Sequence, residues 1–130
     1  MKLNLDKMDI EELIKRYKID QGFIVDEVEL NYETTYDEYG NNHKKVKAIL
    51  KRKIIILDKK YEAEEEIQED EIRNILILYL QRNGEYVKEI EFQIQPSTVR
   101  DPMEITAAFE LKNKVRGREM INNEQNNNTK

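Results

Sequence analysis

The sequence predicts an α+β domain: an antiparallel β-meander of about five strands, with one helix before it and one after it. Three observations carry this prediction. Long stretches alternate apolar and polar residues at period two, the pattern of half-buried strands. Asn83-Gly84 stands between two apolar runs, and that dipeptide favours a hairpin because a type I′ turn needs positive φ at both central residues. Near each end, apolar residues instead recur at helical spacing behind capping residues.

Composition narrows the classes open to the chain. Its 130 residues suffice for one domain, expected over residues 1–117, with an Asn-rich, disordered tail over 118–130. Charged residues make up 38% of the chain and the mean hydropathy is -0.85, so nearly every large apolar side chain is needed in the core or at an interface. A net charge of -5 argues against general nucleic-acid binding. The absence of cysteine removes disulfides and thiolate metal sites and fits a reducing compartment. The N-terminal residues lack the apolar region of a signal peptide, and no stretch approaches the ~20 apolar residues of a membrane span. The expectation is a soluble, cytoplasmic, acidic protein with no membrane partner. Its excess of Ile, Lys, Asn and Glu suggests an AT-rich bacterial or phage genome.

Taken in order, the elements begin with a helix. Asp9 is a candidate N-cap with Glu12 at N3, and Met8 and Leu13 can form a hydrophobic staple around them. Ile10, Leu13, Ile14 and Tyr17 make the apolar stripe, which stops near Lys18, before Gly22. From Phe23 to Tyr36 the period is two, with Ile24, Val28, Leu30, Tyr32 and Tyr36 on one face. Lys44 to Leu57 repeats that pattern through Val46, Ala48, Leu50, Ile54 and Ile56, interrupted by Arg52. A three-residue loop, Gly40-Asn41-Asn42, pairs Tyr36 with Val46, Tyr32 with Leu50 and Val28 with Ile54. A return strand follows Asp58-Lys59-Lys60 and sets Leu57 against Tyr61 and Arg52 against Glu66.

The run Ile75 to Leu80 and the alternating segment Glu85 to Gln95 form the central hairpin about Asn83-Gly84. In that register Ile77 meets Ile90 and Ile75 meets Phe92. A rival reading exists for residues 70–82: Ile72, Ile75, Leu76, Tyr79 and Leu80 also fit helical spacing, with Gly84 as the C′ residue. Asp101-Pro102-Met103-Glu104 reads as a helix start. It leads into a last helix with Ile105, Ala108 and Phe109 on its stripe and Gly117 as its stop.

Little in the chain points to catalysis, and the sequence predicts no enzyme. The single histidine, His43, and the single serine, Ser97, fall in different loops, so no Ser-His-acid relay can be drawn. No multi-His set is present to hold a metal. Each of the four glycines stands alone at an element boundary, and none belongs to a phosphate-cradling loop. No cofactor is implied. The basic run Lys44, Lys45, Lys47, Lys51, Arg52 and Lys53 could follow a phosphate backbone. Flanked by glutamate-rich strands, it reads better as a cross-strand charge ladder.

The function expected is therefore that of a non-enzymatic interaction or assembly protein: a subunit, an inhibitor or an immunity-type partner. Each arm of the first hairpin has about 14 residues, roughly 46 Å at ~3.3 Å per residue, whereas a compact domain of this size spans about 36 Å. A projecting tip follows. Tyr32, Tyr36, Tyr39, Val46 and Ala48 are the candidate interaction residues, and a second copy or another protein is the expected partner. Two alternatives remain: a carrier whose curled meander encloses a small apolar ligand, and an acidic mimic of nucleic acid. The fate of Ile24, Val28, Leu30, Ile54, Ile90 and Phe92 discriminates the carrier.

Overall fold

The computed structural model describes residues 2–112. The elements run β1 (Lys2–Leu5), α1 (Lys7–Asp20), β2 (Glu27–Tyr36), β3 (Asn42–Ile56), β4 (Lys59–Gln68), α2 (Glu69–Arg82), β5 (Val87–Gln95) and β6 (Glu104–Leu111). The fold class is α+β, as the sequence indicates. The strands form two antiparallel sheets, β2-β3-β4 and β1-β6-β5, rather than one meander. Gly117 and the segment 118–130 lie outside the described residues.

Helix α1 starts one turn earlier than its apolar stripe suggests. Asp6 is the N-cap, with its carboxylate 2.8 Å from the Asp9 N–H it accepts. The extra turn lets Lys7 pair with Glu11 at 2.8 Å. Glu11 in turn accepts the Leu30 N–H of β2 at 2.8 Å, so the lengthened helix supplies an acceptor to a sheet edge.

The central hairpin expected around Asn83-Gly84 is absent, and residues 69–82 are helix α2. Helical spacing gathers Ile72, Ile75, Leu76 and Leu80 on one buried stripe. The acidic first turn, Glu69, Asp70 and Glu71, complements the helix dipole. Gly84 has φ +86°, its N–H donates to the Gln81 carbonyl and the Glu85 N–H donates to that of Leu80. This is the 6→1 and 5→2 pattern of a Schellman ending. The same pair of bonds at Gly22 and Phe23 closes α1.

With α2 a helix, β5 loses its expected partner and pairs with β6: Ile90 faces Phe109, Phe92 faces Ala107 and Ile94 faces Ile105. The last helix expected over 101–117 is therefore strand where it is described. Ile105, Ala107, Phe109 and Leu111 are buried while Glu104, Thr106, Ala108 and Glu110 point outward. Asp101 caps no helix. Thr98 Oγ1 accepts the Arg100 and Asp101 N–H groups and turns the chain into β6.

The first hairpin forms with a register four residues from the expected one: Tyr36 faces Asn42, Tyr32 faces Val46 and Val28 faces Leu50. An even shift keeps the same side chains on the inner face. The difference lies in the turn, where Asp37 gathers the loop. Its carboxylate accepts the Tyr39 and Asn41 N–H groups, each at 2.9 Å, and meets His43 Nε2 at 3.2 Å. The Asn41 amide and then His43 hold the Asp37 carboxyl below the ordinary value of 3.8. A lowered aspartate contributes stability above its ordinary pKa and loses it as pH falls through the folded value. Amide shifts of Tyr39 and Asn41 should show a carboxylate step below about pH 4, and Asp37→Asn should abolish that step.

Strand β4 returns three residues out of the expected register, with Ala48 facing Ile67 and Ile54 facing Tyr61. The expected pairing set inner apolar residues against glutamates; the odd shift corrects this. The charge ladder on the outer face exists with other partners: Lys51 reaches Glu29 at 3.1 Å and Lys47 reaches Glu66 at 3.1 Å and Glu33 at 3.7 Å. Those carboxylates raise both lysine pKa values.

The helices pack on one another. α1 also touches β2 and β6, and α2 touches β3, β4 and β5. Both sheets therefore share one apolar cluster that includes Ile14, Leu30, Val46, Leu76 and Phe109.

Candidate protein-interaction surface

The ladder between β2 and β3 stops at Glu27 opposite Lys51. Asp26 finishes that edge: its carboxylate accepts the Lys53 N–H and its own N–H donates to the Lys51 carbonyl. Beyond this point β3 and β4 continue as a two-stranded ribbon, Arg52–Ile56 against Lys59–Ala63. A ribbon of two strands cannot bury both its faces. This one carries Ile54, Ile56 and Tyr61 on one face, Ile55 on the other and Leu57 at the tip.

The ribbon turns through Leu57 (φ +51°) and Asp58 (φ +62°). Two consecutive residues with positive φ make this a type I′ turn, for which Asn-Gly is the preferred pair. Leucine at the first position is strained, because its Cβ crowds the following carbonyl oxygen. Leu57→Asn should therefore raise unfolding stability by about 1 kcal/mol, read from the urea midpoint. Nothing in the turn requires the leucine side chain, which is 90% exposed.

The apolar surface continues past the ribbon. Gly22 to Val25 faces the inner side of β3 and β4 across a groove of about 440 Å³, lined also by Arg52, Ile54, Ala63 and Glu65. Lys18 anchors this loop. Its ammonium is buried, lies 2.9 Å from Glu71 and sits 4.9 Å from the centre of the Phe23 ring. Phe23 and Ile24 nevertheless remain half or more exposed, as do Ile55 at 69%, Ile56 at 53% and Tyr61 at 50%. Leaving out Ile55, which lies on the other face, Phe23, Ile24, Ile56, Leu57 and Tyr61 expose roughly 620 Å² at ~200 Å² per fully bared large side chain. The largest apolar patch of a typical monomer is about 300–600 Å².

The residues expected to interact are divided by the fold. Val46 and Ala48 are fully buried in the core beneath the helices, and the Val46 N–H is held by Glu69 of α2 at 2.9 Å. Neither lies on a projecting face. Tyr32 is half-buried opposite Val46. Tyr36 and Tyr39 are exposed around the β2–β3 turn, at the other end of β3 from the ribbon. The exposed surface at Ile55, Leu57, Tyr61, Phe23 and Ile24 was not anticipated. Its signal was the run Ile54-Ile55-Ile56-Leu57: four consecutive apolar residues at a hairpin end leave some facing water.

Among the described residues, no group of three or more His, Asp or Glu side chains is arranged to hold a metal ion. No helix is long and apolar enough to cross a membrane. No protein-family model, curated protein or solved structure matches the chain.

Proposed function

We propose that the protein is a non-enzymatic interaction protein that assembles with itself through the apolar end of the β3–β4 hairpin. The observation that carries this reading is Leu57: an exposed leucine held in a left-handed conformation at the tip of a ribbon whose neighbours are also bare. Strain without a local structural reason points to a use for the side chain. The exposed area of roughly 620 Å² approaches the ~800 Å² that each partner contributes to a stable interface of standard size.

The test is light scattering. The wild-type protein should be dimeric at micromolar concentration. Ile56→Glu with Tyr61→Glu should be monomeric with an unchanged circular dichroism spectrum, because both side chains are at least half exposed. A wild-type monomer throughout that range would overturn self-assembly through the tip.

One observation favours the carrier as a second reading. The groove beside Phe23, Ile24 and Ile54 has the volume of a small-ligand site. Against it, Val28 and Leu30 are packed in the core, and Ile90 and Phe92 pack against that core from β5, so none of these four lines the groove.

A further inference from the structure

The hairpin ribbon accounts for one exposed surface; the outer edge of β4 is another. The Val46 N–H reaches Glu69, the residue immediately after β4. Even-numbered residues of β3 therefore direct their backbone groups toward β4, and in the antiparallel register odd-numbered residues of β4 answer them. The N–H and C=O groups of Lys60, Glu62, Glu64 and Glu66 accordingly face out of the sheet. Among the described residues, no partner takes up these N–H groups. The outer edge of β2 is guarded differently: Glu11 accepts the Leu30 N–H, and the Asn31 side chain accepts that of Tyr32.

The chemistry beside the open edge selects its occupant. Glu62, Glu64 and Glu66 project from one face of β4, opposite Lys53, Lys51 and Ile49. Lys51 pairs with Glu29 at 3.1 Å and feels Glu64 only as a lesser, more distant charge, and only Glu66 is bridged, by Lys47. Glu62, Glu64 and Glu65 have no cation within ion-pair distance among the described residues. A second copy is disfavoured here, because antiparallel pairing about Glu64 would set Glu64 against Glu64 and Glu62 against Glu66. On the inner face Ala63 lines the apolar groove.

We propose that the β4 edge binds an extended segment of another protein, with basic residues on one face and apolar residues on the other, as an added strand. Its backbone would pair with the outward groups of residues 60–66. Its cations would meet Glu62 and Glu64, and an apolar side chain would cover Ala63. This rests on the reading of the chain as an interaction protein, but uses the outer backbone edge of β4 rather than the apolar side chains of the tip.

The test is a fluorescence-anisotropy titration of the full chain with two labelled eight-residue probes, one alternating lysine and valine, the other glutamate and valine. The lysine probe should bind at least about tenfold more tightly. Glu64→Pro should abolish that binding, because the lost N–H faces out of the sheet, where an edge strand tolerates proline. If that variant fails to fold, Glu62→Lys with Glu64→Lys decides: it should reverse the preference between the probes. Equal binding of both probes, no binding of either, undiminished binding by folded Glu64→Pro, or an unreversed preference would overturn the proposal. Light scattering keeps the two surfaces apart. A dimer that ignores the probe refutes only the edge, and a monomer that binds it refutes only the tip.

Discussion

Replacing Phe109 by alanine should cost about 3–5 kcal/mol, the range for emptying a buried aromatic site. Phe109 is 1% exposed and sits in β6, the centre strand of its sheet, facing Leu3 on one side and Ile90 on the other. Its ring joins the apolar cluster shared by the helices and both sheets, so the cavity would open where all the layers meet. Total stabilities of such domains are about 5–15 kcal/mol. The variant should therefore melt far below the wild type or fail to fold. An unchanged thermal midpoint would show that β6 is not part of the cooperative core.

A contrast two residues apart tests α2. Leu76→Ala should cost about 2–5 kcal/mol, whereas Leu78→Ala should cost less than about 1 kcal/mol. Leu76 is fully buried and Leu78 is 43% exposed. In a helix these positions lie roughly 200° apart, so one can face the core while the other faces water. In a strand they would share a face and lose similar amounts. Urea unfolding of the two variants therefore separates helix from strand through stability alone. Equal losses would contradict the helix.

Much of the local structure was legible in the sequence because it depends on near neighbours. The stripe Ile10, Leu13, Ile14 and Tyr17 fits only a helix, and that helix forms. The alternation from Val28 to Tyr36 and from Val46 to Ile56 defines the inner faces of β2 and β3, and an even register shift leaves those faces intact. The alternation of Ile90, Phe92 and Ile94 likewise survives a complete change of partner.

What the sequence could not decide is what lies opposite. Ile72 to Leu80 is apolar enough to satisfy either period, and Asn83-Gly84 serves equally as a hairpin turn or a helix ending. The choice falls to tertiary packing: as a helix, the segment fills the space against α1, β3 and β5. That choice frees β5, which recruits residues 104–111 as a strand. There Ile105, Ala107, Phe109 and Leu111 had carried a period-two signal beneath a persuasive Asp-Pro helix start.

The candidate surface followed the same division. A run of four apolar residues, Ile54 to Leu57, was visible in the sequence. Its exposure depends on where β2 ends, which Asp26 sets through bonds to the Lys51 and Lys53 backbone. Val46 and Ala48 looked equally available and became core, because α2 covers them. Periodicity records which side chains share a face; only the assembled layers determine which of those faces meets water.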